Sequence, residues 1–336
     1  MKGQTFIKLA ALACVTAATN LFAAPAVKDG DVIEIIGDSI TEGRNYGSLI
    51  EDYLLMCQPA KVRVMQFGWG GERVTGFNNR LPDLLSMKPT VATLCYGMND
   101  GEYRPVTDAI RNNYRTGLLS GVQALQQAGV KVIVGSPGCV DTATFKNSFV
   151  SPADYNTNLA ALRDEARQVA TTTGSTFADV HSSMLAAMAA GKTKYGQNYS
   201  VAGGDGIHPN VNGGLVMAYA FLKNMDFDGN VGTLYVDMAD HTAKTFGGHK
   251  FVKAEGNAFT FESTQYPFCF WGDPSKQSAT NGLLDAIPFN ADLNRFTLTV
   301  AGPAKRYTRD LGQSVQGVLG RRTQSRRESG GRVRRR

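Results

Sequence analysis

The chain has 336 residues and a formal net charge of +6. That excess sits at one end: residues 302–336 carry ten arginines and one lysine against Asp310 and Glu328, a net of +9, which leaves −3 on the remainder. A nucleic-acid-binding body is excluded by that distribution. No stretch past the N-terminal region reaches the roughly 18 apolar residues of a membrane span.

Residues 1–26 read as a secretory signal, with Lys2 and Lys8 ahead of an apolar Leu9–Thr19 run and small residues at Ala23, Ala24 and Ala26. The mature protein is therefore expected to be exported, to the periplasm or the medium. From residue 27 to 227 strand and helix signals alternate, as in a doubly wound α/β sheet. Strands are expected at Val32–Ile36, Lys61–Phe67, Val91–Tyr96, Lys131–Ser136 and Thr176–Val180. Helices are expected at Tyr46–Cys57 and Ala109–Gln127, from the Ser151-Pro152 cap to about Thr172, and at Val211–Asn224.

From 228 to 301 short alternating runs separated by Gly, Asn, Asp and Pro predict a small antiparallel β appendage. Its runs are Thr233–Val236, Lys250–Lys253, Phe259–Glu262, Tyr266–Phe270 and Phe296–Val300. The aromatic segment Tyr266–Trp271 reads first as packing and second as a glycan-contact surface. Residues 302–336 read as a solvated, disordered tail. The abrupt end of the β pattern at Val300 also admits out-of-frame sequence there.

The chemistry lies at the strand ends. Gly37-Asp38-Ser39 closes the first apolar run, and in an open α/β sheet ligands bind at the carboxyl ends of strands. By itself the tripeptide is an ordinary turn with a capping serine. Three later segments change that reading: Gln66-Phe67-Gly68-Trp69-Gly70-Gly71, Gly97-Met98-Asn99-Asp100 and Asp205-Gly206-Ile207-His208-Pro209. Of four histidines only His208 has an acid three residues before it in a glycine-rich, proline-stopped surround. Ser39 is then a nucleophile in need of a base, His208 that base, and Asp205 the acid that orients it. The backbone N–H groups of Ser39 and Gly71 and the Asn99 amide supply an oxyanion hole.

These four blocks, in this order, resemble the SGNH (GDSL-type) hydrolase family over residues 30–225. The resemblance implies a flavodoxin-like three-layer α/β/α sandwich with a parallel sheet, and the same roles for Ser39, Gly71, Asn99, Asp205 and His208. Gln66 departs from the asparagine that many relatives have there, which puts the bonding behind the oxyanion loop in question.

The expected activity is hydrolysis of short-chain carboxylic esters, O-acetyl groups on carbohydrate first, through an acyl-serine. A glycan O-acyltransferase, a short-chain lipase or arylesterase, and a glycan binder with a relict site are the alternatives. Arg44, Trp69 and Tyr103, in polar loops near the site, are candidate substrate contacts. The expected partner is a small-molecule or polysaccharide ester, with no nucleic acid. No Cys/His cluster has zinc spacing, so neither metal nor cofactor is expected, and no disulfide is assigned to Cys57, Cys95, Cys139 and Cys269. His181 reads as a structural histidine, His241 and His249 as surface or loop residues.

Overall fold

A computed structural model describes residues 26–302. The expected signal and basic tail fall outside them, save for Ala26 and Gly302.

Apolar runs that end at glycine form the centre. In chain order the elements are β1 (Val32–Gly37), α1 (Ser39–Glu42), α2 (Asn45–Met56), β2 (Arg63–Gly68), α3 (Val74–Ser86), β3 (Val91–Cys95), α4 (Asp108–Gln127), β4 (Lys131–Gly135), α5 (Pro152–Thr173), β5 (Thr176–Ala178), α6 (Val180–Tyr195) and α7 (Val211–Leu222). The strands pair only in parallel, in the order β2-β1-β3-β4-β5. That is the flavodoxin-like order, with β1 flanked by β2 and β3.

Both faces are covered. Ile33, Ile35, Cys95 and Ile133 pack with Ile50 and Tyr53 of α2, Met184 of α6 and Leu215 and Phe221 of α7. Ile36, Ala92, Leu94, Val132 and Val134 face Phe77 of α3, Leu118 and Val122 of α4, and Leu162 and Ala166 of α5. The result is the three-layer α/β/α sandwich.

Helices α3 and α6 and strand β7 (Thr242–Phe246) are additions to the sequence reading. Pro82 lies inside α3 and reads as a breaker, while the buried side of α6 is built largely from Ala, Met and Gly.

Beyond α7, β6 (Asn230–Asp237) pairs antiparallel with β7, and β8 (His249–Glu255) antiparallel with β9 (Ala258–Ser263). A 3₁₀ turn (Thr280–Asp285) and α8 (Phe289–Leu293) lead to β10 (Arg295–Ala301), which returns parallel to β6. Tyr266–Phe270, expected as a strand, joins no ladder. Its backbone bonds go elsewhere: Tyr266 N–H donates to Met56 O at 2.8 Å and Phe268 N–H to Asn294 Oδ1 at 2.7 Å. The appendage's apolar residues Val231, Phe268, Leu283, Ile287 and Phe289 join the body's cluster around Tyr53. The Tyr53 hydroxyl also donates to Leu293 O at 2.8 Å, and Gln265 Nε2 to Cys57 O at 3.0 Å.

Candidate active site

Three neighbouring strand ends build the site. At the end of β1, a Cβ on Gly37 would run into Thr41 Oγ1 and Cys95 O, so the chain can turn there only on glycine. Asp38 then caps α1, its Oδ1 accepting from Ile40 N–H at 3.0 Å. Burial pushes the Asp38 carboxyl up to about 7. The cap makes Ser39 the first residue of α1, where helix N–H groups lack intrahelical acceptors.

Ser39 Oγ lies 2.9 Å from His208 Nε2. Asp205 organises the loop that brings His208 there. Its Oδ1 accepts from the N–H groups of Ile207 and His208, both at 2.9 Å, and its Oδ2 meets His208 Nδ1 at 2.6 Å. The three-residue step lets one carboxylate hold both the backbone and the ring of the same histidine. Burial acts to raise the Asp205 carboxyl, but the hydrogen bonds from the His208 ring and from the His208 and Ile207 N–H groups outweigh it, holding the group below its ordinary value. With Asp205 ionised, Nδ1 carries the proton and Nε2 is free to accept from Ser39.

Several ties fix the loop. Asn45 Nδ2 donates to Pro209 O at 2.7 Å, Asp141 N–H to Gly206 O at 3.0 Å, and Asn210 Nδ2 to Ser200 O at 2.7 Å. Gly203 adopts φ +72°, and a side chain there would strike His208 O.

Because β1 lies between β2 and β3, the turns carrying Gly71 and Asn99 flank Ser39. Gly71 takes φ +71°. Asn99 Nδ2 donates to Glu72 O at 3.1 Å, which ties the two flanking turns together and leaves the second amide N–H available. The 97–104 loop is clamped from α5: Asn158 Nδ2 donates to Gly101 O at 2.8 Å and to Arg104 O at 2.7 Å, and the Tyr155 hydroxyl to Met98 O. Asp100 is buried, and desolvation pushes its carboxyl up to about 6.

The three candidate substrate contacts separate. Trp69 is 60% exposed on the glycine turn. Tyr103 is half-buried, stacked on Tyr155 and Phe145, with its hydroxyl 3.5 Å from Asn99 Oδ1. Arg44 is exposed at a left-handed φ of 61°, and its side chain makes no hydrogen bond or ion pair among the described residues.

Among the other histidines, His181 is buried, its Nδ1 2.8 Å from Gly138 O, and burial lowers its basicity. His241 is exposed. His249 corrects the expectation of a surface residue. It is buried on β8, with Nδ1 2.9 Å from Ser263 Oγ and Nε2 3.2 Å from Val231 O, so both ring nitrogens are satisfied. Cys57, Cys95 and Cys139 are free and buried, Cys269 free and exposed. Among the described residues no three His, Cys, Asp or Glu side chains gather as metal ligands, and no helix is long and apolar enough to cross a membrane.

Sequence reasoning missed Glu72, Arg80, Tyr96, Tyr155 and Asn158. Asn158 had a local signal, a polar residue in step with Tyr155, Leu159 and Leu162 on the buried face of α5.

No curated protein matches the chain. Among solved structures it is similar to a gut microbial diltiazem-metabolizing enzyme, at 22% identity and TM-score 0.66, over 82% of this chain and 68% of that one. It is also similar to a variant of Axe2, an acetyl-xylooligosaccharide esterase from Geobacillus stearothermophilus, at 23% identity and TM-score 0.50, over 60% of this chain and 96% of that one. At such identities the likeness is one of fold. The GDSL-like lipase/acylhydrolase family matches residues 35–214, more than half of the chain, from β1 into α7. The chain belongs to the GDSL-like lipase/acylhydrolase family and is a carboxylic ester hydrolase.

Proposed function

We propose that this protein is an exported serine esterase that removes short acyl groups, acetyl first, from carbohydrate hydroxyls, with Ser39, His208 and Asp205 as its catalytic residues. The observation that carries the reading is the line from Ser39 Oγ through both ring nitrogens of His208 to Asp205, at 2.9 and 2.6 Å. Ser39 Oγ bonds to the acyl carbon as its proton passes to His208 Nε2. The carbonyl oxygen takes the electron pair, and the N–H groups of Ser39 and Gly71 and the Asn99 amide receive the oxyanion. Collapse breaks the bond to the alcohol oxygen, which leaves with the proton from Nε2. Water then adds to the acyl carbon, giving its proton to Nε2, and the second collapse frees the acid and restores the serine hydroxyl. Asp205, held ionised, stabilises the imidazolium at both stages.

His208 and Asp205 side chains are 49% and 51% exposed, so water has access to an acyl-serine, which supports hydrolysis over transfer. The surroundings support a hydrated alcohol. Arg44 and Arg104 are exposed and Glu102 is half-buried on the loops that follow β1 and β3. A long acyl chain gains about 0.8 kcal/mol per buried CH₂ only against apolar walls. Export rests on the signal read in residues 1–26. Measuring kcat/KM for acetate, butyrate and octanoate esters of one aryl alcohol, beside acetylated xylo-oligosaccharides, tests the reading. Highest values for acetyl substrates are expected; a steady rise with chain length replaces it with a lipase.

A further inference from the structure

The turn between β2 and α3 contains Gly68, Gly70 and Gly71 within four residues, and glycine gives such a segment more conformational freedom than any other residue. An oxyanion hole needs the opposite, donors held in place before the charge develops. The side chain of Gln66 does not supply the restraint. It turns to α2, with Nε2 3.5 Å from Glu51 Oε2, and its Oε1 has no partner.

Arg80, on α3, spans the turn instead. Its Nε donates to Glu72 Oε1 at 2.7 Å, its Nη2 donates to Glu72 Oε2, and the same Nη2 reaches Phe67 O at 3.4 Å. One planar guanidinium thus grips the residue before the turn and the residue after it. The Tyr96 hydroxyl, at the end of β3, donates to Glu72 Oε2 at 2.6 Å. The main chain of Glu72 faces the site: its carbonyl takes the Asn99 amide at 3.1 Å. On its other side Arg80 lies 5.6 Å from the centre of the exposed Trp69 ring. The Glu72 and Arg80 side chains are only 7% and 19% exposed. A pair so little hydrated is a weak source of stability, because desolvation offsets much of the attraction. It is well suited to fixing geometry.

The geometry points to Glu72, Arg80 and Tyr96 as the positioning residues of the oxyanion hole. Together they hold the Gly71 N–H and, through the Glu72 carbonyl, the Asn99 amide on one point, and they keep the Trp69 ring as a fixed face beside it. This inference rests on the reading of Gly71 and Asn99 as oxyanion donors.

The test compares Glu72→Gln, Arg80→Met, Arg80→Lys and Tyr96→Phe with Asn99→Ala in the full chain. Removal of one oxyanion donor lowers kcat by about 10²–10³, so a displaced donor is expected to cost roughly 10- to 100-fold. Glu72→Gln and Arg80→Met should show that loss in kcat with KM little changed when assayed well below their thermal midpoints, which fall because each change leaves a buried group unpaired. Arg80→Lys, which keeps the charge but not the fork, should recover part of it, and Tyr96→Phe, the least intrusive change, should lose least. Inhibition by a short alkylboronic acid, whose adduct with Ser39 is tetrahedral, should weaken in step with kcat. In the Asn99→Ala background Glu72→Gln should cost much less than alone, since part of its effect passes through Asn99. Full activity in Glu72→Gln and Arg80→Met beside a crippled Asn99→Ala overturns the network alone. The same follows if the losses fall on KM. An unaffected Asn99→Ala removes the oxyanion reading itself.

Discussion

The body and the appendage solve the same packing problem in opposite ways. Strand β3 is buried along its whole length and β1 at all but its first residue, because helices cover both faces of a parallel sheet. Strand β9 alternates exposed and half-buried residues, and β8 follows suit over much of its length. The body closes its own core, which leaves its strand-end loops free to carry reactive groups. The appendage cannot, and it draws its packing from the body: Phe268 and Phe289 set their rings 6.3 and 6.1 Å from Tyr53. A sequence rich in aromatics therefore means docking in one region, while a glycine-broken apolar run means chemistry in the other.

If chemistry lives only in the body, the largest effect belongs to Ser39→Ala. Its kcat should fall by about 10⁴–10⁶, with the unfolding midpoint unchanged and fluorophosphonate labelling abolished. Label persisting on another serine moves the nucleophile elsewhere. Asp205→Asn keeps the shape of the loop but removes the charge facing His208 Nδ1, and kcat should drop by about 10³–10⁴. A loss under about tenfold demotes Asp205 to the backbone role its Oδ1 already performs.

The shared core makes the next prediction. Phe289→Ala, at a fully buried ring, should cost about 3–5 kcal/mol, and calorimetry should show one transition for body and appendage together. A separate low-temperature transition would mean that the appendage unfolds alone and that the comparison overstates their union. Asn99→Ala should then raise the barrier by roughly 3 kcal/mol, the scale of one oxyanion donor. An unchanged kcat leaves Asn99 as a tie to Glu72 and nothing more.

The body was more legible than the appendage for the same physical reason. Runs such as Val91–Cys95 declare buried parallel strands without any partner in view, and those of β1, β2 and β3 lead into the segments that carry Ser39, Gly71 and Asn99. The order of strands then puts the ends of β1, β2 and β3 side by side, which is why short, individually weak motifs converged. Illegible features depended on partners distant in sequence. His249 is buried because Ser263 and Val231 happen to face its ring, and Tyr266–Phe270 is not a strand because the end of α2 takes its backbone bond. Arg80 carried no local sign of spanning the glycine turn, since its contact with Glu72, eight residues before it, exists only once α3 has formed.

The smallest effect separates the two regions by pH. Glu34, in the middle of β1, is fully buried and neither carboxyl oxygen has a hydrogen-bond partner. Desolvation pushes its pKa from the ordinary value of 4.5 up to about 7. In the alternating strands β8 and β9, by contrast, Glu255 and Glu262 are exposed. Below pH 4.5 Glu34 is protonated whether the chain is folded or not, and it adds no pH dependence. Between 4.5 and about 7 the unfolded chain gives up the proton while the folded one keeps it, so stability falls as pH rises and levels off above 7. Over pH 5 to 8 that difference amounts to roughly 2–3 kcal/mol. Glu34→Gln cannot ionise, so its advantage over wild type in urea unfolding should widen by about that amount from pH 5 to pH 8. Parallel pH profiles for wild type and Glu34→Gln would mean that Glu34 ionises in place, with water or a moving neighbour reaching the centre of the sheet.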